Sequence, residues 1–235
     1  GDMFSGNPYV DLHDEKGSPI VDIMNTIGYS AAALGNHEFD YGQEVLKKRI
    51  QQASFPILAY NLKSSDSTIN TLNNEHSLGY KNIIIKLIGL IETENNDRPA
   101  THPKNLNDIT FNIHQQTLKD IAPSYPQNDV VVGLTHLGFE IDSVLALNSE
   151  IFDVIIGGHS HTLIEESTYI NNVLIAQAGD YLKYAGIIEL EFEDTDLVKR
   201  NYTYLNLANR PPTNNAVTEL IKKYQNNPFL DEELA

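Results

Sequence analysis

Residues 24–42 read MNTIGYSAAALGNHEFDYG, and the reading of this stretch decides the fold class. Ile20, Val21, Ile23, Met24 and Ile27 fall on one helical face, and Gly28 stops the helix. Ala31–Leu34 is a short apolar run that ends at Gly35 before a polar turn, the pattern of a buried strand. The same grammar recurs downstream. DVVVGLT at 129–135 and DVIIGG at 153–158 are β-branched runs that also end beside a polar residue or a glycine. Helical spacing covers Gln43–Ala53, Ile113–Ala122 and Asp142–Asn148. Phe55–Tyr60 is strand-like, and Ile83–Ile91 is one strand or two with Lys86 facing outward. Residues 63–78 are rich in Ser, Asn and Thr and read as a loop, while Thr93–Asn107 is a polar excursion near a cleft. Later the period changes. Thr168–Ala178, Tyr184–Glu193 and Tyr202–Leu207 read as successive strands, with Asn215–Asn226 as a closing helix. Strand–helix alternation followed by adjacent strands predicts a layered α/β domain with a mixed central sheet.

The 235 residues suit one large domain or two small ones, and 41% apolar with 20% charged residues describes a chain that buries a core. Sixteen Lys and Arg against 32 Asp and Glu leave a net charge of −16, which excludes a general nucleic-acid binder with a basic face. The absence of Cys excludes disulfide scaffolds, Cys-ligated zinc and thiol nucleophiles. The longest apolar stretch, Ile83–Ile91, is too short to span a bilayer and contains Lys86. The sequence opens at Gly1 without Met, so the lack of a signal peptide says nothing about export.

Of the 8 His, four lie in three loops that follow buried strands. These loops are 35–40 (GNHEFD), 135–138 (THLG) and 157–162 (GGHSHT). Loops after the carboxyl ends of strands are where α/β sheets bind ligands. Imidazole, carboxylate and amide oxygen without thiolate suit a divalent cation such as Zn, Mn or Fe. His159 and His161 point to one side in an extended segment or reach two adjacent ions from a turn, and Gly157 and Gly158 allow a tight bend. The Asp2 carboxylate can bridge two ions about 3.5–4 Å apart. Taken singly, these residues have plainer readings. An Asp after Gly is ordinarily a turn residue. Glu38 and Asp40 fit acids that favour a helix N-terminus, and for Glu38 this is the preferred reading. Asp11-Leu12-His13 sits in a polar, turn-rich stretch and reads as loop. Tyr9, Tyr41 and Tyr181 are candidate cleft aromatics, although packing is the default role for 12 Tyr.

In order, Gly-Asp, GNHEFD, THLG and GGHSH resemble the motifs of the calcineurin-type metallophosphoesterases. Residues 24–42 more narrowly resemble the bacterial 5′-nucleotidase family, which includes UDP-sugar hydrolases and cyclic-nucleotide phosphodiesterases. The resemblance runs to about residue 195 and includes AQAGDYLKYAGIIELEF at 176–192. It implies a layered α-β-β-α metallophosphoesterase sandwich with mixed central sheets over residues 1–207, and a C-terminal linker and helix over 208–235. By this resemblance Asp2 is the bridging ligand, Asn36, His136 and His159 complete the site of one divalent ion, and His161 serves a second. His37 matches the histidine that sits over the substrate phosphate, and Asp40 the aspartate that orients it. The implied activity is hydrolysis of nucleotide phosphate monoesters by a metal-bound water, with a small-molecule phosphate ester as partner and no nucleic acid polymer. The alternatives are 2′,3′-cyclic nucleotides or UDP-sugars at the same site.

Two departures qualify the resemblance. The family's Asp-x-His motif, which serves the same ion as His161, belongs upstream of Gly-Asp and is not in this sequence, so that ion keeps Asp2 and His161. The expectation is a fragment of a longer protein, with a non-catalytic metal-binding domain as the alternative. A C-terminal nucleoside-binding domain is likewise expected in such proteins but not found after Leu207. Relatives of this kind are exported, which implies a periplasmic or cell-surface location.

Overall fold

Short β-branched runs lie side by side in a parallel arrangement, and the polar segments after them gather at one edge. The computed structural model describes residues 1–93, 97–121, 130–148, 150–208, 210–211 and 213–225. The N-terminal part contains α1 (Pro8–Asp11), α2 (Ser18–Ile27), β1 (Ala32–Ala33), α3 (Gln43–Gln52), β2 (Ile57–Leu58), β3 (Leu62–Ser64), β4 (His76–Tyr80) and β5 (Ile83–Ile91). Then come β6 (Ile109–Phe111), α4 (His114–Ile121), β7 (Val130–His136), α5 (Phe139–Asn148) and β8 (Val154–Ile156). The chain continues through β9 (Thr168–Ile170), β10 (Val173–Ala176), β11 (Tyr184–Glu193), β12 (Asp196–Asn206) and α6 (Asn215–Gln225).

Among the described residues, six strands form the main sheet in the order β4-β5-β7-β8-β10-β9. Its four inner strands are parallel and its two edges antiparallel. Inner parallel strands are covered on both faces, which explains the continuous apolar runs in Val130–Val132 and Val173–Ala176. Register places Ile91 opposite His136 and Leu134 opposite Ile156, so the loops after β5, β7 and β8 emerge together. The parallel pair β1–β2 packs across β5 and β7, and the hairpin β11–β12 packs on β10. Gly89 marks the closest approach: a Cβ there would lie 2.4 Å from the Leu58 carbonyl, and its own carbonyl accepts the Tyr60 N–H at 2.7 Å. Val21 and Met24 of α2 and Leu46 of α3 share a core with β1 and β2, whereas Leu118 of α4 and Leu145 of α5 pack with the main sheet. The order of layers is helix, strand, strand, helix, as expected.

Local differences have local causes. The segment read as a loop contains the end of β3, a 3-10 turn at Ile69–Asn73 and the start of β4. As an edge strand with little burial, β4 shows no apolar alternation, and its pairing with β5 is what orders it. Ile83–Ile91 is one strand, with Lys86 bonded outward to Glu75 at 3.1 Å. Helix α5 begins at Phe139, because the Gly138 carbonyl accepts the Asp142 N–H at 3.0 Å. Strand β12 begins at Asp196, well before Tyr202. Ala122, Asp129 and Asn226, the outer bounds of three expected elements, lie outside the described residues. Helix α6 folds back onto α2: the Tyr224 hydroxyl donates to Asp22, and its ring meets His13 at 5.3 Å. Among the described residues no helix is long and apolar enough to cross a membrane.

Candidate metal centre

The edge at which the parallel strands end carries a compact donor cluster. One ligand atom from each of Asp2, His136 and His159 lies within 4.8 Å of the others. His136 closes β7 at 2% exposure, with Nε2 2.9 Å from Asp2 Oδ2 and 3.2 Å from Asn36 Oδ1. The His136 and His159 rings meet edge-on at 5.0 Å. His159 reaches inward from a left-handed backbone (φ 73°) directly after Gly157 and Gly158. The Gly158 carbonyl accepts the Gly138 N–H at 3.1 Å, which ties the two histidine loops together.

Glu38 holds the Asp2 turn, and this corrects its reading as a helix-dipole acid. Its side chain is fully buried. Oε2 accepts the N–H groups of Asp2 (2.8 Å) and Gly35 (2.6 Å), and Oε1 those of Met3 (2.5 Å) and Phe4 (3.2 Å). A carboxylate thereby fills a nest of successive backbone donors and supports Asp2 in a left-handed conformation (φ 62°) that a non-glycine residue adopts only at a cost.

His37 and Asp40 meet side chain to side chain. His37 Nδ1 lies 2.7 Å from Asp40 Oδ2, and the His37 N–H donates to Asp2 Oδ1 at 3.1 Å. The imidazole is half exposed. Burial pulls its pKa down, but the hydrogen bond to Asp40 and the charges of Asp2, Asp40 and Glu38 outweigh it, so the pKa is raised. The polar excursion closes over this side. Asn36 Nδ2 donates to the Ala100 carbonyl at 3.1 Å, and Thr101 Oγ1 lies 3.4 Å from Asp40 Oδ1.

Electrostatics favour a cation. Burial raises the Asp2 pKa, yet the His136 contact and the His37 N–H hold it at about 2, so the carboxylate is ionised. His136 is pushed down by burial, against the opposing pull of Asp2. The two shifts oppose each other, since a neutral imidazole supports Asp2 less than a charged one; at 2% exposure burial decides for the neutral ring. Two imidazoles, an ionised carboxylate and an amide oxygen thus converge on one point. This donor set fits a divalent metal ion.

Other candidates lie outside the cluster. His161 is exposed, with Nδ1 3.8 Å from Asp180 Oδ2 and its ring 5.9 Å from Tyr181. Tyr181 is 77% exposed, Tyr9 is half-buried, and the Tyr41 hydroxyl donates to Asp11 Oδ1 at 2.5 Å. Asp11, read as loop, is the last residue of α1 and also accepts the Gly6 N–H, while His13 bonds to Glu15 and meets the Tyr224 ring, so the Asp-x-His look-alike is engaged in local packing away from the cluster. A cleft of about 660 Å³, lined by Glu92, His114, Phe139, Ile141, His159 and Thr162, opens beside the centre. Two buried carboxylates near the site were not singled out by sequence reading. Glu92 directly follows β5, and Asp142 lies under Gly157, where a Cβ would come within 2.3 Å of Oδ2. An acid directly after or within an apolar run was the available signal for both.

The chain resembles known proteins in sequence and in fold. The chain is 27% identical to a 5′-nucleotidase of Bos taurus over 217 residues, covering 83% of the chain and 37% of the relative. It is 28% identical to the trifunctional nucleotide phosphoesterase protein YfkN of Bacillus subtilis over 246 residues, covering 88% of the chain and 16% of the relative. The chain thus spans less than half the length of these relatives. Among solved structures, the sulfate thiohydrolase SoxB of Thermus thermophilus superposes with a TM-score of 0.82 at 19% identity, covering 95% of this chain and 41% of that one. A 5′-nucleotidase precursor, also from Thermus thermophilus, gives 0.79 at 24%, covering 95% and 48%. The family model for calcineurin-like phosphoesterases matches residues 1–163, and with that span the chain belongs to this family.

Proposed function

We propose that this chain is the catalytic part of a metal-dependent phosphoesterase that hydrolyses nucleotide phosphate monoesters. The observation that carries the reading is the convergence of Asp2, Asn36, His136 and His159 beside the His37–Asp40 pair. The substrate class is supported by the names of its relatives, a 5′-nucleotidase and a nucleotide phosphoesterase. Asp2, Asn36, His136 and His159 would hold one ion, and Asp2 and His161 would contribute to a second. When bound, two divalent ions (Zn, Mn or Fe) supply an activated water and neutralise phosphate charge. His37 is pinned through Nδ1, so it offers Nε2–H to the phosphoryl oxygens, where charge develops in the transition state. Asp40 fixes the ring and favours its protonated form. In this reading residues 1–207 are the catalytic domain and 208–235 a C-terminal linker and helix. Export to the periplasm or cell surface belongs to the same reading and rests on the resemblance alone.

The test is hydrolysis of AMP with added Mn²⁺, comparing the parent with His37→Ala and Asn36→Ala. Each substitution is expected to lower kcat/KM by about 100-fold or more. Unchanged metal-dependent activity in both sinks the assignment. Preference for a 2′,3′-cyclic nucleotide or a UDP-sugar over AMP replaces the substrate and keeps the site. Mn²⁺ binding without turnover of any of them leaves a metal-binding domain.

A further inference from the structure

We propose that Glu92 is a positioning residue for the metal centre, holding the Pro99–Thr101 turn so that Ala100 sets the amide of Asn36. The inference rests on the metal reading above. Glu92 is 2% exposed and directly follows β5, a strand that supplies no proposed ligand. Its N–H donates to the His136 carbonyl at 3.1 Å, which anchors it beside β7. Its Oε1 accepts the Ala100 N–H at 2.5 Å. The Ala100 carbonyl in turn accepts Asn36 Nδ2 at 3.1 Å.

That last bond decides which end of the amide faces the cluster. With Nδ2 engaged by Ala100, Asn36 Oδ1 lies 3.2 Å from His136 Nε2, on the side where a cation would be held. The flipped amide would present N–H donors to the cation and lose the Ala100 bond. The turn closes on itself through the Thr101 N–H and the Pro99 carbonyl at 2.8 Å. Thr101 also reaches Asp40, at 3.4 Å. One buried carboxylate therefore braces a turn that touches both a proposed ligand and the partner of His37. Removing such an outer partner of a ligand typically weakens metal binding by about 10–100-fold.

The test reads Mn²⁺ binding by calorimetry on the full chain, without substrate. Glu92→Met keeps the side-chain length and removes the acceptor; Glu92→Gln keeps a carbonyl oxygen for the Ala100 N–H. Glu92→Met is expected to bind about tenfold more weakly and Glu92→Gln within about threefold of the parent. In an Asn36→Ala background, Glu92→Met is expected to change the affinity less than about twofold, because the group it positions is gone. A Glu92→Gln variant that folds and binds as weakly as Asn36→Ala overturns the proposal, since lost charge then explains the effect. Parent affinity in Glu92→Met overturns it as well. A parent protein that binds no Mn²⁺ refutes the metal reading itself, a distinct result.

Discussion

Glu38 and Asp2 stand 36 residues apart, yet Glu38 Oε2 accepts the Asp2 N–H at 2.8 Å, and the same carboxylate takes the next two N–H groups of the chain. The bond joins the turn carrying the proposed bridging ligand to the turn carrying Asn36 and His37. The two turns form one unit.

Glu38→Gln keeps the volume of this clamp but turns an NH₂ toward backbone donors that have no other outlet. Leaving a buried donor unsatisfied costs about 1–3 kcal/mol. The substitution is expected to lower unfolding free energy by about 3 kcal/mol and Mn²⁺ affinity by about tenfold. Urea unfolding and calorimetry read the two effects. Parent values in both would refute the clamp.

His136 and His159 meet at the centre, whereas His161 stands at its rim. His136→Ala is expected to weaken Mn²⁺ binding about 100-fold, and His161→Ala about threefold or less for the tighter ion. Equal losses would place His161 inside the first coordination set.

Asp142 is fully buried, and burial pushes its pKa up to about 7 despite the Thr135 hydroxyl, which lowers it. Its folded pKa exceeds the unfolded value of 3.8, so its contribution to stability is full below pH 3.8 and is lost as pH rises toward 7. The loss amounts to about 4 kcal/mol across that window. In EDTA, the stability of the parent minus that of Asp142→Asn is expected to fall by this amount between about pH 4 and pH 7. A flat difference would show that Asp142 ionises normally.

Gly157 has no room for a methyl group because Asp142 Oδ2 occupies the place. Gly157→Ala is expected to cost about 2 kcal/mol, in the range of other overpacked core substitutions. In an Asp142→Ala background the cost is expected to drop by more than about 1 kcal/mol, a coupling that denaturant midpoints of the four proteins measure. Additive losses would locate the strain elsewhere.

Much of the frame was legible because parallel inner strands leave a strong local mark. Val130–Val132, Ile155 and Leu174 are buried on both faces, so their segments read as unbroken β-branched runs, and the polar residues at their ends marked the functional edge. Strand β4 was not legible, since an edge strand owes its order to its partner rather than to its own pattern. Glu38 was misread for a related reason: its partners are backbone N–H groups, which carry no side-chain signature.

The sequence by itself determined the donor inventory. Imidazoles, a carboxylate and an amide at strand ends, in a chain without Cys, already favoured a hard or borderline cation. Local patterns encode burial and period, and these place each residue on its own element. Tertiary structure alone decided which donors meet. Strand register aligned His136 with Ile91, and left-handed backbones at Asp2, His159 and His161 aimed their side chains. Buried carboxylates drew distant turns together, because a buried charge must find donors wherever the folded chain supplies them.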